Sequence, residues 1–332
     1  MRLPSGVFSG RNFNPTRFVV AGFAAVILLG TVLLHLPAAS LNGTATPWLT
    51  CLFTATSASC VTGLVVVDTA LHWSVFGQAV ILLLIQLGGL GFVTVLTLLS
   101  LALHRRIGLS QRLVMASALN LEGLSGVVRV VRHALMGTFL LEGAGALVLA
   151  TRFIPEFGWG KGLWFSVFHS VSAFCNAGFD LFGPYDGAYA SVAGFAGDPV
   201  VLLTLMVMIV AGGLGFFLWE DLLRWREGKP LSLYTRLVLS ITAALILLGW
   251  VFFLWVEWDN PATLGALPEG QRVLNALFQS VTLRTAGYAT VDQSLLTESA
   301  AAMSILLMLI GGSSGSTAGG IKTATLGVLL LS

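Results

Sequence analysis

Long apolar stretches decide what this chain can become. Five are uninterrupted, at about 18–36, 75–103, 127–150, 199–219 and 233–256, and a sixth at about 300–331 encloses a tract of glycine and hydroxyl residues. A helix needs about 20 apolar residues, at 1.5 Å rise each, to cross a bilayer. Three shorter apolar pieces, near 48–60, 162–175 and 272–283, are too short to cross and are expected to enter and return or to lie at the interface. Only 10% of the residues are charged, against about 25% in soluble domains. The chain is therefore expected to be an all-α polytopic membrane protein. Its basic N-terminus leads into an apolar segment too long for a signal-peptide core, so 18–36 is expected to be a retained first span.

Basic residues set the orientation. Arg2, Arg11 and Arg17 precede the first span; Arg105, Arg106, Arg112, Arg129 and Arg132 lie between spans two and three; Arg224, Arg226, Lys229 and Arg236 lie between spans four and five. All fall on one side, which the positive-inside rule makes cytoplasmic, with the N-terminus on that side. The opposite side carries Asp68, Glu156, Asp180, Asp186, Asp198, Glu257, Asp259, Glu269, Asp292 and Glu298. An acidic mouth of this kind raises the local concentration of cations; singly, each acid also suits an ordinary solvated loop. Cys51, Cys60 and Cys175 are odd in number and lack CxxC spacing, so they suggest small buried thiols rather than a disulfide or zinc framework.

The three short pieces are copies of one another. LFTATSASCVTGLVVVD (52–68), VFHSVSAFCNAGFD (167–180) and LFQSVTLRTAGYATVD (277–292) place Phe53/Ala55/Ser57, Phe168/Ser170/Ser172 and Phe278/Ser280/Thr282 in register. Each copy then reaches a glycine, Gly63, Gly178 or Gly287, the third after one residue fewer. Downstream, IQLGGLGF (85–92), IVAGGLGF (209–216) and LIGGSSGS (309–316) each put a Gly pair inside the following span. The period is about 110 residues. Three units follow, each a helix, a short helix with a loop, and a helix: 18–110, 127–228 and 232–332. Gly pairs also serve close helix packing in membranes, but that does not account for the aligned loops.

A short helix followed by an extended Gly loop can aim carbonyl oxygens at an axis, where they replace the hydration shell of a cation; glycine allows the backbone angles this needs. Thr285-Ala286-Gly287-Tyr288 is close to the TVGY part of a potassium-channel filter, and Val61-Thr62-Gly63 and Asn176-Ala177-Gly178 are looser forms of it. On these residues the chain resembles the Trk/Ktr/HKT superfamily of potassium transporters, most closely the bacterial KtrB-like pore-forming subunits, over roughly 15–332.

The resemblance implies a potassium-channel-like fold of four helix–pore loop–helix units around one pore, three of them present here, with one filter glycine in each. It implies potassium uptake through the filter carbonyls of Val61, Thr62, Gly63, Asn176, Ala177, Gly178, Thr285, Ala286 and Gly287, with Gly63 in place of the Ser of sodium-preferring relatives. It implies a gate: the tract Gly311, Gly312, Ser313, Ser314, Gly315, Ser316, Thr317, Ala318, Gly319 and Gly320, followed by Ile321 and Lys322, stands where the family has an intramembrane loop obstructing the pore. It further implies the bacterial inner membrane, a homodimer, a cytosolic ring of nucleotide-binding KtrA/TrkA-like regulatory subunits, and no cofactor beyond the transported K+, with Na+ as the alternative ion. A fourth copy would fall at about residue 400 by the same period, so the expectation is a piece of a longer protein. Its alternatives are a separate polypeptide supplying the fourth unit, or a chain inactive alone.

Independently of the resemblance, irregular backbone at membrane depth is tolerated where it lines a water-filled cavity, which suits the tract. Lys322 is either a charge near the cation path or a side chain snorkelling to the cytoplasmic surface. GSTAGGIKT is near a phosphate-binding loop, but Ile321 breaks the GxxxxGK spacing and no strand precedes it. Glu142 is expected to pair with Arg or His of a neighbouring helix, Arg284 to brace its short helix, and His169 and Gln279 to bond loop backbones. With no HExxH and no acid pair inside a span, no enzyme is expected. The rival of another class is a non-transporting membrane scaffold.

Overall fold

The computed structural model describes residues 15–91 and 127–331. Arg2, Arg11, Arg105, Arg106 and Arg112 lie outside the described residues. The described residues form helices joined by turns, with no β-sheet among them; two isolated bridges are the only strand-like pairings.

The first unit runs α1 (Pro15–His35), the short α2 (Trp48–Ser59) and α3 (Val75–Leu90). The second runs α4 (Val127–Phe157), short α5 (Trp159–Phe174), α6 (Pro199–Leu214) and α7 (Phe216–Arg226). The third runs α8 (Leu233–Glu257), short α9 (Glu269–Thr282), α10 (Glu298–Leu309) and α11 (Thr323–Leu331). In every unit the long first helix packs on its own short helix.

Local chemistry marks the helix starts. Ser74, Ser232 and Thr297 turn side-chain oxygens onto the free N–H groups of Gly77, Thr235 and Ala300, and Asp198 does so for Val200 and Val201 with Pro199 as the first helical residue. Left-handed glycines mark two of the ends: Gly91 closes α3 at φ 74° and Gly215 closes α6 at φ 82°.

Gly215 corrects the reading of 199–219 as one span. The backbone bends by 94° between α6 and α7 there, because the left-handed glycine stops the α-helical bonding while apolar residues continue on both sides. Among the described residues, Arg132–Phe157 within α4 and the whole of α8 are long and apolar enough to cross a membrane, and the bent α6–α7 pair makes a third if it counts as one broken span. Residues 92–103 of the expected second span lie outside the described residues.

Apolar packing also runs between the units. One apolar core joins the first two units and reaches into the third through Phe278, Val281, Ala286 and Tyr288; a smaller one holds Phe253, Leu264, Ala276, Leu283, Ala300 and Leu307 within the third. Glycine pairs bring the second helices against the short ones. A Cβ on Gly88 would run into the Ser59 carbonyl, one on Gly89 would stand 2.6 Å from Cys175 Sγ, and one on Gly212 would run into the Phe174 carbonyl. Leu247, Leu248 and Val251 of α8 stay exposed, as lipid-facing residues do; Trp159 and Trp255, exposed near helix ends, suit the membrane interface.

Candidate functional site

The site starts from the ends of α2, α5 and α9. In each, the chain leaves the helix through a residue in the left-handed region: Val61 at φ 55°, Asn176 at 57° and Thr285 at 66°. Two residues later a glycine is left-handed again: Gly63 at 79°, Gly178 at 70° and Gly287 at 86°. Thr62, Ala177 and Ala286, between them, are not left-handed. This alternation differs from both helix and strand, and a non-glycine residue pays roughly 1–2 kcal/mol for its left-handed share.

The helices hold these loops in matching ways. Thr62 N–H donates to the Ser57 carbonyl and Ala177 N–H to the Ser172 carbonyl, both at 2.8 Å, while Ala286 N–H donates to the Thr282 carbonyl at 2.9 Å. The third bond spans one residue fewer, which is where the third copy is short. Ser172 Oγ then donates to the Phe179 carbonyl at 2.8 Å and Thr282 Oγ1 to the Tyr288 carbonyl at 2.7 Å, each pinning the residue after the glycine. Ser57, their counterpart, is buried with no partner for its hydroxyl among the described residues.

The loops, far apart in sequence, meet at their glycines. A Cβ on Gly63 would stand 2.5 Å from the Ala177 carbonyl oxygen and 3.5 Å from Gly178 Cα; one on Gly178 would stand 2.5 Å from the Ala286 oxygen and 3.1 Å from Gly287 Cα. Carbonyl oxygens of the second and third loops thus face the glycine of the loop before. Tyr288 Oη donates to the Phe179 carbonyl at 3.1 Å, a direct tie between the second and third loops.

The glycine tract lies against the same place. Its neck is closed by Gly311 N–H donating to the Ile321 carbonyl at 3.1 Å and Ile321 N–H to the Leu309 carbonyl at 2.9 Å. It then docks on the bend of the second unit. Ser313 N–H donates to the Gly213 carbonyl at 2.9 Å, Thr317 N–H to Gly212 at 3.2 Å, and Phe216 N–H to Gly315 at 2.9 Å. Tyr234 Oη adds a bond to the Ser314 carbonyl at 3.2 Å, and Ser316 Oγ closes the turn onto Ser313 at 2.7 Å. Lys322 folds back, its Nζ donating to the Ala318 carbonyl at 2.7 Å. Gly311-Gly312-Ser313-Ser314-Gly315 also has the spacing of a hydrolase nucleophile elbow, but Ser313 Oγ donates to the Leu214 carbonyl and sits on no strand-to-helix turn.

Several side chains take other partners than their sequence suggests. Among the described residues Glu142 pairs with no Arg or His; it accepts both bonds from Gln86 Nε2, at 3.0 and 3.1 Å, beside Cys175. Arg284 does not brace its own helix; its Nη2 donates to the Gly311 carbonyl at 2.9 Å, across to the tract. His169 Nε2 receives the Leu181 N–H at 3.2 Å, just beyond the second loop, and Gln279 pairs with the Gln293 side chain. Cys51 and Cys175 are buried but Cys60 is exposed, because the last turn of α2 leaves it outward.

The acids expected on the outer side are not all free. Asp68 caps a single helical turn at Ala70 and Leu71 and also receives the Tyr189 N–H at 3.0 Å, joining the first two units. Glu257 receives Thr297 N–H and Oγ1, Asn260 and Thr263. Burial pushes the Asp180 carboxyl up to about 6, against a bond from Phe182 N–H and with the charges of Asp68 and Asp186 adding to the rise. No group of three or more His, Cys, Asp or Glu side chains suited to a metal occurs among the described residues.

The model of the TrkH cation transport protein family matches residues 13–332. The chain belongs to the TrkH family of cation transport proteins, within the Trk/Ktr/HKT superfamily. These are transporters, not enzymes. The TrkH-family chain is 43% identical to the potassium/sodium uptake protein NtpJ of Enterococcus hirae, over 97% of its own length and 70% of the relative's. It is 39% identical to the Ktr system potassium uptake protein B of Bacillus subtilis, over 96% and 70%. The solved potassium transporter TrkH of Vibrio parahaemolyticus has the same fold, with a TM-score of 0.67 at 20% identity, over 99% of this chain and 62% of that one. The chain therefore spans about seven tenths of these relatives and less than two thirds of the solved transporter. The all-α polytopic helical bundle expected from the sequence is the fold that this likeness shows.

Proposed function

We propose that the chain forms three sides of a potassium pathway in a bacterial inner membrane, with the N-terminus cytoplasmic. The three units 18–110, 127–228 and 232–332 each supply one filter loop: Val61-Thr62-Gly63, Asn176-Ala177-Gly178 and Thr285-Ala286-Gly287. Backbone carbonyls of these loops coordinate a dehydrated K+. The tract 311–320, with Lys322 holding its far end, is the gate. Transport is driven by the membrane potential, about 2.3 kcal/mol per charge per 100 mV. The protein works as a homodimer on a cytosolic ring of nucleotide-binding KtrA/TrkA-like subunits.

One observation carries this reading: three loops more than a hundred residues apart share one left-handed pattern and abut at their glycines, with Ala177 and Ala286 oxygens facing Gly63 and Gly178. A scaffold has no use for three strained backbones in contact. The test is Gly63→Ser, with rubidium and sodium uptake measured in the same cells. The expected result is a lower rubidium-to-sodium ratio with uptake retained; an unchanged ratio removes Gly63 from the filter. A sodium-permeable variant of the same pathway is the second reading, favoured by the potassium/sodium relative at 43% identity; it expects a ratio near one before any substitution.

A further inference from the structure

Two of the three left-handed residues that open the loops touch the glycine tract with their side chains. Left-handed backbone at a β-branched residue such as Thr285 is unfavourable, and strain of this kind persists where the surroundings over-determine it. Thr285 Oγ1 accepts the N–H of Gly319 at 3.1 Å. Arg284, next to it and buried, donates to the Gly311 carbonyl at 2.9 Å. Gly311 and Gly319 form the two sides of the neck, so close that a Cβ on Gly311 would run into the Gly319 carbonyl. One dipeptide thus holds both sides. In the second loop, Asn176 Nδ2 lies 3.4 Å from Thr317 Oγ1, which itself donates to the Phe174 carbonyl at 2.9 Å. In the other amide orientation Asn176 donates to the carbonyls of Ala173 and Ile209 and still lies against Thr317. Val61, the counterpart in the first loop, has no side-chain donor or acceptor.

We propose that Arg284 and Thr285 latch the glycine tract to the third filter loop, so that gate position and ion selectivity are coupled through this dipeptide. The proposal rests on the filter and gate reading above. While both bonds stand, the tract is held under the loops and the Thr285 backbone keeps its left-handed geometry. Movement of the tract breaks both bonds together and frees the third loop to relax. Arg284 and the Thr285 side chain are positioning groups in this scheme: they act on the ion through the backbone at 285–287.

The experiment measures rubidium and sodium uptake in cells carrying the native protein with its own partners. Arg284→Gln and Thr285→Val are each expected to raise total uptake and to lower the rubidium-to-sodium ratio roughly fivefold, the effect of one net hydrogen bond. Arg284→Lys and Thr285→Ser keep a donor or a hydroxyl and are expected to restore most of the ratio. The double variant is expected to fall short of the product of the singles, since the two bonds break together. A rise in uptake at an unchanged ratio overturns the coupling, and so does an unchanged uptake. Should Arg284→Gln fail to reach the membrane, the near-isosteric Thr285→Val decides. Deletion of 312–319 separates the two levels. No gain of uptake on deletion means the gate reading has failed. A gain on deletion, with Thr285→Val at the wild-type ratio, means that only the latch has.

Discussion

Gly178 is the glycine most tightly held by backbone on its neighbouring loop. A Cβ there would meet both the Ala286 oxygen and Gly287 Cα, and neither can give way without moving the third loop. Gly287 is left-handed too, at φ 86°, but its Cβ would meet only Gly178 Cα, at 3.6 Å. Both substitutions to Ala incur roughly 1–2 kcal/mol of backbone strain, and Gly178→Ala adds the clash. Thermal unfolding in detergent is expected to rank Gly178→Ala well below Gly287→Ala; equal losses would mean the loops are not in contact in the membrane. Asp180, two residues on, titrates in a useful range. Its carboxyl, raised to about 6, is neutral below that pH and ionised above it. Between about pH 5 and 7 the mouth near Asp68, Asp180 and Asp186 gains negative charge, so the rubidium KM is expected to fall as pH rises, and Asp180→Asn is expected to flatten that step. Parallel pH profiles for the two proteins would remove Asp180 from the mouth. At this scale much was hidden in the sequence. The glycines were legible because each ends a repeated Phe–hydroxyl spacing. The partners of Arg284, Glu142 and Asp68 were not, because they stand 27, 56 and 121 residues away and no local pattern encodes a contact made by packing.

Among the elements, the bend between α6 and α7 shapes the tract. Gly212, Gly213 and Phe216 supply three of its backbone bonds, the Leu214 carbonyl accepts a fourth from the Ser313 hydroxyl, and each depends on the chain turning at Gly215. The motif GGLGF reads as continuous apolar sequence, so hydropathy runs straight through a point where the helix stops; its earlier copy at 88–92 likewise ends α3 at the left-handed Gly91. A Cβ on Gly215 would stand 2.6 Å from Ser313 Oγ and 2.9 Å from the Ser314 carbonyl. Gly215→Ala is therefore expected to push the tract off its dock and raise rubidium uptake, while Gly43→Ala, at a similar φ of 65° with nothing near it, shifts stability alone. Uptake unchanged in Gly215→Ala would show that the tract does not restrain flow. The short helices were easier to foresee, since a dozen apolar residues cannot cross a bilayer, and α2, α5 and α9 fall on the expected pieces within a few residues.

For the molecule as a whole, the contacts at the loops form a chain: the first loop meets the second, and the second meets the third. On the proposed reading, an ion held among them adds a further tie between units that one apolar core already joins, so its binding adds to the cohesion of the bundle. Whatever binds the folded state alone stabilises it by RT ln(1 + [L]/Kd), about 2.7 kcal/mol at a hundredfold excess over Kd. The purified protein is expected to unfold at higher temperature in potassium chloride than in choline chloride of equal ionic strength, because choline cannot enter a ring of carbonyls sized for a bare ion. Equal ionic strength matters, since general screening acts on the surface charges whichever salt is present. Gly63→Ser should narrow the difference between potassium and sodium, and Gly43→Ala should leave it intact. Identical unfolding temperatures in potassium, sodium and choline would favour a membrane scaffold that binds no ion, and the three abutting loops would then need another explanation.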